Sequence, residues 1–99
     1  MSKKRITKLR EDINKIDREL LYLFNRRATV VVELAKIKRK LGKRLFDPER
    51  EKNIFVSVTD KNPGPLRSDA IVRLFERIID ESRRLERTEV YNRAPKEQK

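Results

Sequence analysis

No glycine or proline interrupts the chain before Gly42. Within that stretch, from about Arg5, apolar residues fall at Ile6, Leu9, Ile13, Ile16, Leu20, Leu23, Val31, Leu34 and Leu41. The steps are threes and fours, the spacing of one face of an α-helix. Arg27 and Lys38 fill the two empty slots of the series. The pattern predicts one unbroken amphipathic helix, with Gly42 just past its C-terminus, where a left-handed backbone is wanted. Roughly 36 residues of helix make a rod of ~54 Å.

A rod of that length limits what the remaining chain can do. A compact domain of this size has a radius of gyration of only ~13 Å, so 99 residues cannot cover the stripe from end to end. A second chain is needed, and an intertwined homodimer supplies it most simply. A plain coiled coil is the structural alternative, but Arg27 and Lys38 make poor seam residues. These two cations lie on one face, about three turns and ~16 Å apart along the axis, with Val31 and Leu34 between them. Their long side chains can lean together, and the gap suits a small anionic molecule.

The rest of the chain reads as two shorter helices. Lys43 to Phe46 is a loop. Asp47 is an N-cap, Pro48 sits at the first helical position, and Glu49 lies in the first turn. This second helix turns Arg50, Glu51, Ile54, Phe55 and Val58 inward and ends near Lys61. Asn62-Pro63-Gly64-Pro65 is a strong turn signal. A third helix begins near Arg67 or Ser68, with Ser68 and Asp69 as cap and first-turn residues, and runs to about Val90. Its face carries Ile71, Phe75, Ile78, Ile79 and Leu85, flanked by Val72 and Leu74. The expectation is an all-α fold: a three-helix protomer, long, short and medium, in an intertwined homodimeric bundle. Residues 1–4 are read as a flexible N-terminus, 5–91 as the helical domain and 92–99 as a polar tail. There is no internal repeat and no second domain.

Composition removes several chemistries. The chain has no Cys, hence no disulfide and no thiolate nucleophile, and no His, the commonest general base and metal ligand. Neither a metal nor a cofactor is expected. No apolar run approaches the ~20 residues of a membrane span, and the basic N-terminus has no signal-peptide core. No membrane association is expected, and a cytoplasmic location is. The net charge of +11 suits an anionic metabolite, a nucleic acid or mere solubility, and does not choose among them.

More informative are polar residues where core residues belong. They are Arg27 and Lys38 on the first helix, with Arg10 beside Leu9; Asp47, Arg50 and Glu51 opening the second; and Ser82 and Glu86, one turn apart on the stripe of the third. Burying a charge unpaired is costly, so these groups either pair with one another or line a wet pocket for a charged ligand. Each has a plain reading. Asp47 caps a helix, Glu51 complements the macrodipole, Ser82 bonds back to its own helix, Glu86 pairs with Arg83 or Arg84, Lys38 snorkels, and Arg10 and Arg50 are surface. Arg27 is hardest to explain away, since Arg26 already faces solvent. Together they offer several cations, carboxylates and a hydroxyl, a set suited to a hydroxylated dicarboxylate.

Leu9-Arg10-Glu11-Asp12-Ile13, Ile16-Asp17, Leu20-Leu21 and Arg26-Arg27 are followed by Glu33-Leu34-Ala35-Lys36-Ile37-Lys38. Asp47-Pro48-Glu49-Arg50-Glu51, Leu74-Phe75, Ile78-Ile79 and Ser82 complete the series. In order and spacing this resembles the all-α class of chorismate mutases, in monofunctional form, over about Ile6 to Glu86. The resemblance implies a cofactor-independent isomerase of phenylalanine and tyrosine biosynthesis that turns chorismate into prephenate. It implies an intertwined dimer with two shared sites. In each, Arg27 grips one substrate carboxylate and Arg10 of the partner subunit reaches a carboxylate across the interface. Lys38 donates to the ether oxygen of the breaking C–O bond and to a carboxylate. Glu51 accepts from the ring hydroxyl with Asp47 nearby, and Arg50 and Ser82 line the pocket. Glu86 falls where many bacterial members carry a Gln that donates to the same oxygen. To donate, Glu86 must be protonated, whereas Glu in water titrates near ~4.3; burial would raise that value and a neighbouring Lys38 would lower it. Some members gain activity by docking on another enzyme of the aromatic pathway, so such a partner is a further possibility.

Two other functions compete. A small basic helical nucleic-acid binder fits the charge, but the long first helix is no helix-turn-helix element, its cations are dispersed, and aromatic residues are few. A mutase-like lyase acting on a related anion such as isochorismate would share the architecture. Asp47, Glu51 and Lys38 together favour the mutase.

Overall fold

The computed structural model describes residues 2–91, and the polar tail read at 92–99 lies outside them. The elements are α1 (Ser2–Lys40), α2 (Pro48–Asp60), α3 (Ser68–Glu86) and a π-helical turn (Arg87–Tyr91). The all-α, long–short–medium order read from periodicity is the one observed. The described residues fall into two units by internal contact, divided between Val30 and Val31.

In the first unit the chain is α1 backbone alone. The helix opens at Ser2, earlier than the apolar pattern shows, so residues 2–4, read as a flexible lead-in, carry helical backbone. Lys3, Lys4 and Arg5 are good helix formers with no breaker among them, which is reason enough. The row Ile6, Leu9, Ile13, Ile16, Leu20 and Leu23 is exposed, between 43% at Leu20 and 55% at Ile13. Leu21, Tyr22 and Phe24 beside it are exposed too. The apolar face of the helix is thus open along several turns within these residues.

The second unit builds its own small core. α1 ends in a Schellman motif: Lys43 N–H donates to the Lys38 carbonyl at 2.8 Å and Gly42 N–H to the Arg39 carbonyl at 3.1 Å. Gly42 takes φ +70°, the left-handed backbone this motif requires, as its position in the sequence predicts. α2 packs on α3. The turn between them is held by Asn62, whose side-chain amide donates to the Leu66 carbonyl and whose oxygen accepts from Gly64 N–H. The buried residues among those described are Ala35, Ile79 and Val90. Arg39 donates to the Val90 carbonyl at 3.0 Å, tying the last turns of α1 to the π-helical turn.

Several local readings shift. Ser68 is the first helical residue of α3 rather than its cap; Arg67 holds the cap position with extended backbone and no capping side-chain bond. Asp69 supplies the first-turn carboxylate, as expected. The end of α3 is an α-helix to Glu86, then π-helical to Tyr91. Leu74, a flanking residue of the α3 face, is exposed. Among the described residues no helix is long and apolar enough to cross a membrane.

Candidate active site

Lys38 lies in the last turn of α1, and its carbonyl is the acceptor that closes the Schellman motif. Its side chain is half-buried, and its ammonium reaches the Leu45 carbonyl at 3.5 Å, a long bond that leaves donors for other oxygens. The helix terminus thus fixes where this cation starts and the loop after it limits where it goes.

The first turn of α2 gathers the acidic residues. Asp47 caps the helix, its Oδ1 accepting from Arg50 N–H at 3.0 Å, and Pro48 follows at the first position. Glu51 N–H donates to the Asp47 carbonyl, so the two carboxylates are one helical turn apart. Glu51 is half-buried, as its stripe position predicts. Arg50, expected to face inward, is exposed in this chain. Arg50 lies one turn before Ile54, but at the edge of the face that Glu51, Ile54, Phe55 and Val58 centre on, and from the first turn of the helix its long side chain stays in solvent.

α3 brings Ser82 and Glu86 to one face, both half-buried. The Ser82 hydroxyl donates to the Ile78 carbonyl at 2.9 Å, the back-bond a helical serine commonly makes. Arg83 stands beside it and spans the gap to α2. Its Nε donates to Glu51 Oε2 at 2.9 Å and its Nη2 to Oε1, a two-pronged pair between helices. Nη1 lies 3.6 Å from Asp80, and the guanidinium carbon is 5.1 Å from the centre of the Phe46 ring. The hydrogen bond to Glu51 holds the Arg83 pKa above its ordinary value, with Asp80 and Glu86 adding to the same field, so the guanidinium stays charged. Because the Arg83 side chain is 39% exposed, the pair contributes on the order of 1 kcal/mol or less to stability. Its larger effect is on where the Glu51 carboxylate points.

Arg10 and Arg27 belong to residues 2–30. Arg10 is exposed beside Leu9, and Arg27 is half-buried and engaged in a contact of its own. Within residues 31–91, the structure assembles Lys38 over Leu45, Asp47 with Glu51, and Glu51 with Arg83. Sequence reasoning named Arg83 only as a possible partner of Glu86 and passed over its contact with Glu51, and it passed over Phe46 and Arg39. The signal for Arg83 was present: it follows the buried Ile79 by one helical turn, the criterion that singled out Arg27.

Comparison with known proteins gives the family of the chain. Residues 9–87 match the family described as chorismate mutase type II. A bifunctional chorismate mutase/prephenate dehydratase of Aquifex aeolicus is 33% identical over 86 residues, covering 83% of this chain and 24% of the relative. A chorismate mutase of Methanocaldococcus jannaschii is 28% identical over 91 residues, covering 84% and 85%. Among solved structures, a chorismate mutase of Thermus thermophilus (form II) superposes with a TM-score of 0.81 at 35% identity, covering 83% of this chain and 93% of that one. The chain therefore spans about a quarter of the bifunctional relative and nearly all of the solved one. With the family match extending over three helices, this chain belongs to the chorismate mutase type II family.

Proposed function

We propose that the chain rearranges chorismate to prephenate as a homodimer with two shared sites. The reading is carried by one observation: residues 9–87 match the chorismate mutase type II family, and the candidate residues from Arg10 to Glu86 all lie within that stretch. The reaction is an intramolecular Claisen rearrangement. It requires no nucleophile and no obligatory proton transfer, so a chain without His or Cys is equipped for it. Arg27 and Arg10 of the partner subunit hold the two carboxylates, and with Arg50 and Ser82 they keep the substrate in its compact diaxial shape. Glu51 accepts from the ring hydroxyl with Asp47 nearby. Lys38 stabilises the negative charge that grows on the ether oxygen as the C–O bond opens, a preorganised electrostatic contribution of ~3–4 kcal/mol. Glu86, when protonated, donates to the same oxygen. The half-exposed row from Ile6 to Leu23 supports the dimer, since a second α1 can cover it.

The test is loss of chorismate absorbance with purified protein and identification of prephenate. Lys38→Ala is expected to lower kcat by about 10²–10³-fold with an unchanged melting temperature. A variant that rearranges chorismate at near wild-type rate would remove Lys38 from the mechanism.

A further inference from the structure

Arg83 presents each of its three guanidinium nitrogens to a carboxylate oxygen. Nε and Nη2 take the two oxygens of Glu51, and Nη1 faces Asp80 at 3.6 Å. The cation also lies over Phe46, the residue just before the α2 cap. With Nε and Nη2 forked on Glu51 and Nη1 turned toward Asp80, the guanidinium takes its orientation from the carboxylates of α2 and α3. In turn it fixes Glu51. An ionised carboxylate has about four lone-pair sites, and a two-pronged arginine uses one on each oxygen. The other lone pairs stay open to a hydroxyl, and the plane in which they lie is set by the fork. A lone Glu51 on the first turn of α2 would instead rotate among several staggered conformations.

Resting on the reading that Glu51 accepts from the substrate's ring hydroxyl, we propose that Arg83 is the positioning residue for that acceptor. It holds the carboxylate across the α2–α3 gap in the one orientation that meets the hydroxyl. It touches the substrate only through Glu51. The Glu51 contact is made in ground state and transition state alike, so its loss is read in KM more than in kcat.

The experiment is steady-state kinetics on chorismate, with melting temperatures, for the wild type, Arg83→Met, Arg83→Lys, Glu51→Gln and the Arg83→Met/Glu51→Gln double variant. Arg83→Met is expected to raise KM about tenfold, the scale of a charge-assisted hydrogen bond, with kcat within about threefold of wild type. Arg83→Lys recovers part of the loss, because a point charge holds one oxygen but not both. The double variant is no worse than Glu51→Gln alone, since two residues acting as one unit do not add. A wild-type KM in Arg83→Met overturns the proposal, even where the melting temperature falls. So do penalties that multiply in the double variant. Should Arg83→Met fail to fold, Arg83→Lys decides alone, and a wild-type KM there overturns it. A wild type that leaves chorismate unchanged overturns the function and this inference together. A wild type that converts chorismate, with Arg83→Met at wild-type KM, overturns this inference only.

Discussion

The row from Ile6 to Leu23 on α1 and the face from Ile71 to Leu85 on α3 are written in the same three-and-four spacing, and they end differently. On α3, Ile79 is 5% exposed and Ile71, Phe75 and Ile78 are half-buried. On α1 every member of the row is exposed. The α3 face is met by α2, which arrives through a short Pro-Gly turn and packs on it. Residues 2–30 have no such neighbour within their own unit. An amphipathic pattern states that a face must be covered, but it does not state by which chain. The expectation of a second chain rests on the length of α1 set against the amount of chain left over.

The sharpest way to break the contrast is Leu20→Glu. If a second chain covers the α1 row, a carboxylate within it abolishes association and activity together, seen as a halved mass in light scattering and no prephenate formed. A dimer that survives would show that this face is not the interface. Ile79→Ala tests the other side. It opens a cavity in a core the chain makes by itself and is expected to cost ~2–5 kcal/mol in denaturant unfolding. Asp47→Ala removes the α2 cap and costs ~1 kcal/mol by the same measurement, with Glu51 loosened beside it. The smallest effect is expected on the exposed part of α1, where Lys8 pairs with Asp12 at 3.0 Å. Asp12 holds the Lys8 pKa above its ordinary 10.5, so whatever the pair contributes is complete below that value and is lost only as pH rises through the raised one. Asp12→Asn should therefore leave the melting temperature unchanged, and equally so from neutral to roughly pH 9.

What could be read from the sequence was mostly local. Gly42 past the end of α1, Asp47 ahead of Pro48, and the Asn62-to-Pro65 turn each depend on neighbours a few residues away, and each stands where it was read. Ser68 reads as a cap from its residue type, but Arg67 is the last extended residue, so the helix opens one position sooner, at Ser68 itself. The contacts that tie helices together are another matter. Arg83 meets Glu51 across 32 residues of sequence, and Arg39 meets the Val90 carbonyl across 51. Nothing in the spacing of one helix states which residue of another will face it. The candidate residues could therefore be named from the pattern, while the pairing of cation with carboxylate needed the packed helices.

The cap at Asp47 bears on how this chain can tolerate change. Asp47, Arg50 and Glu51 take their mutual spacing from one turn of α2 and from the bonds that close it. An insertion between Gly42 and Phe46 would leave that triplet intact, a template carried along whole. It would not leave Lys38 untouched, because the carbonyl its ammonium reaches belongs to Leu45 in the same loop. Within residues 31–91 the loop is where tolerance runs out, and the length of that short segment, more than any residue in it, sets how far Lys38 stands from the template.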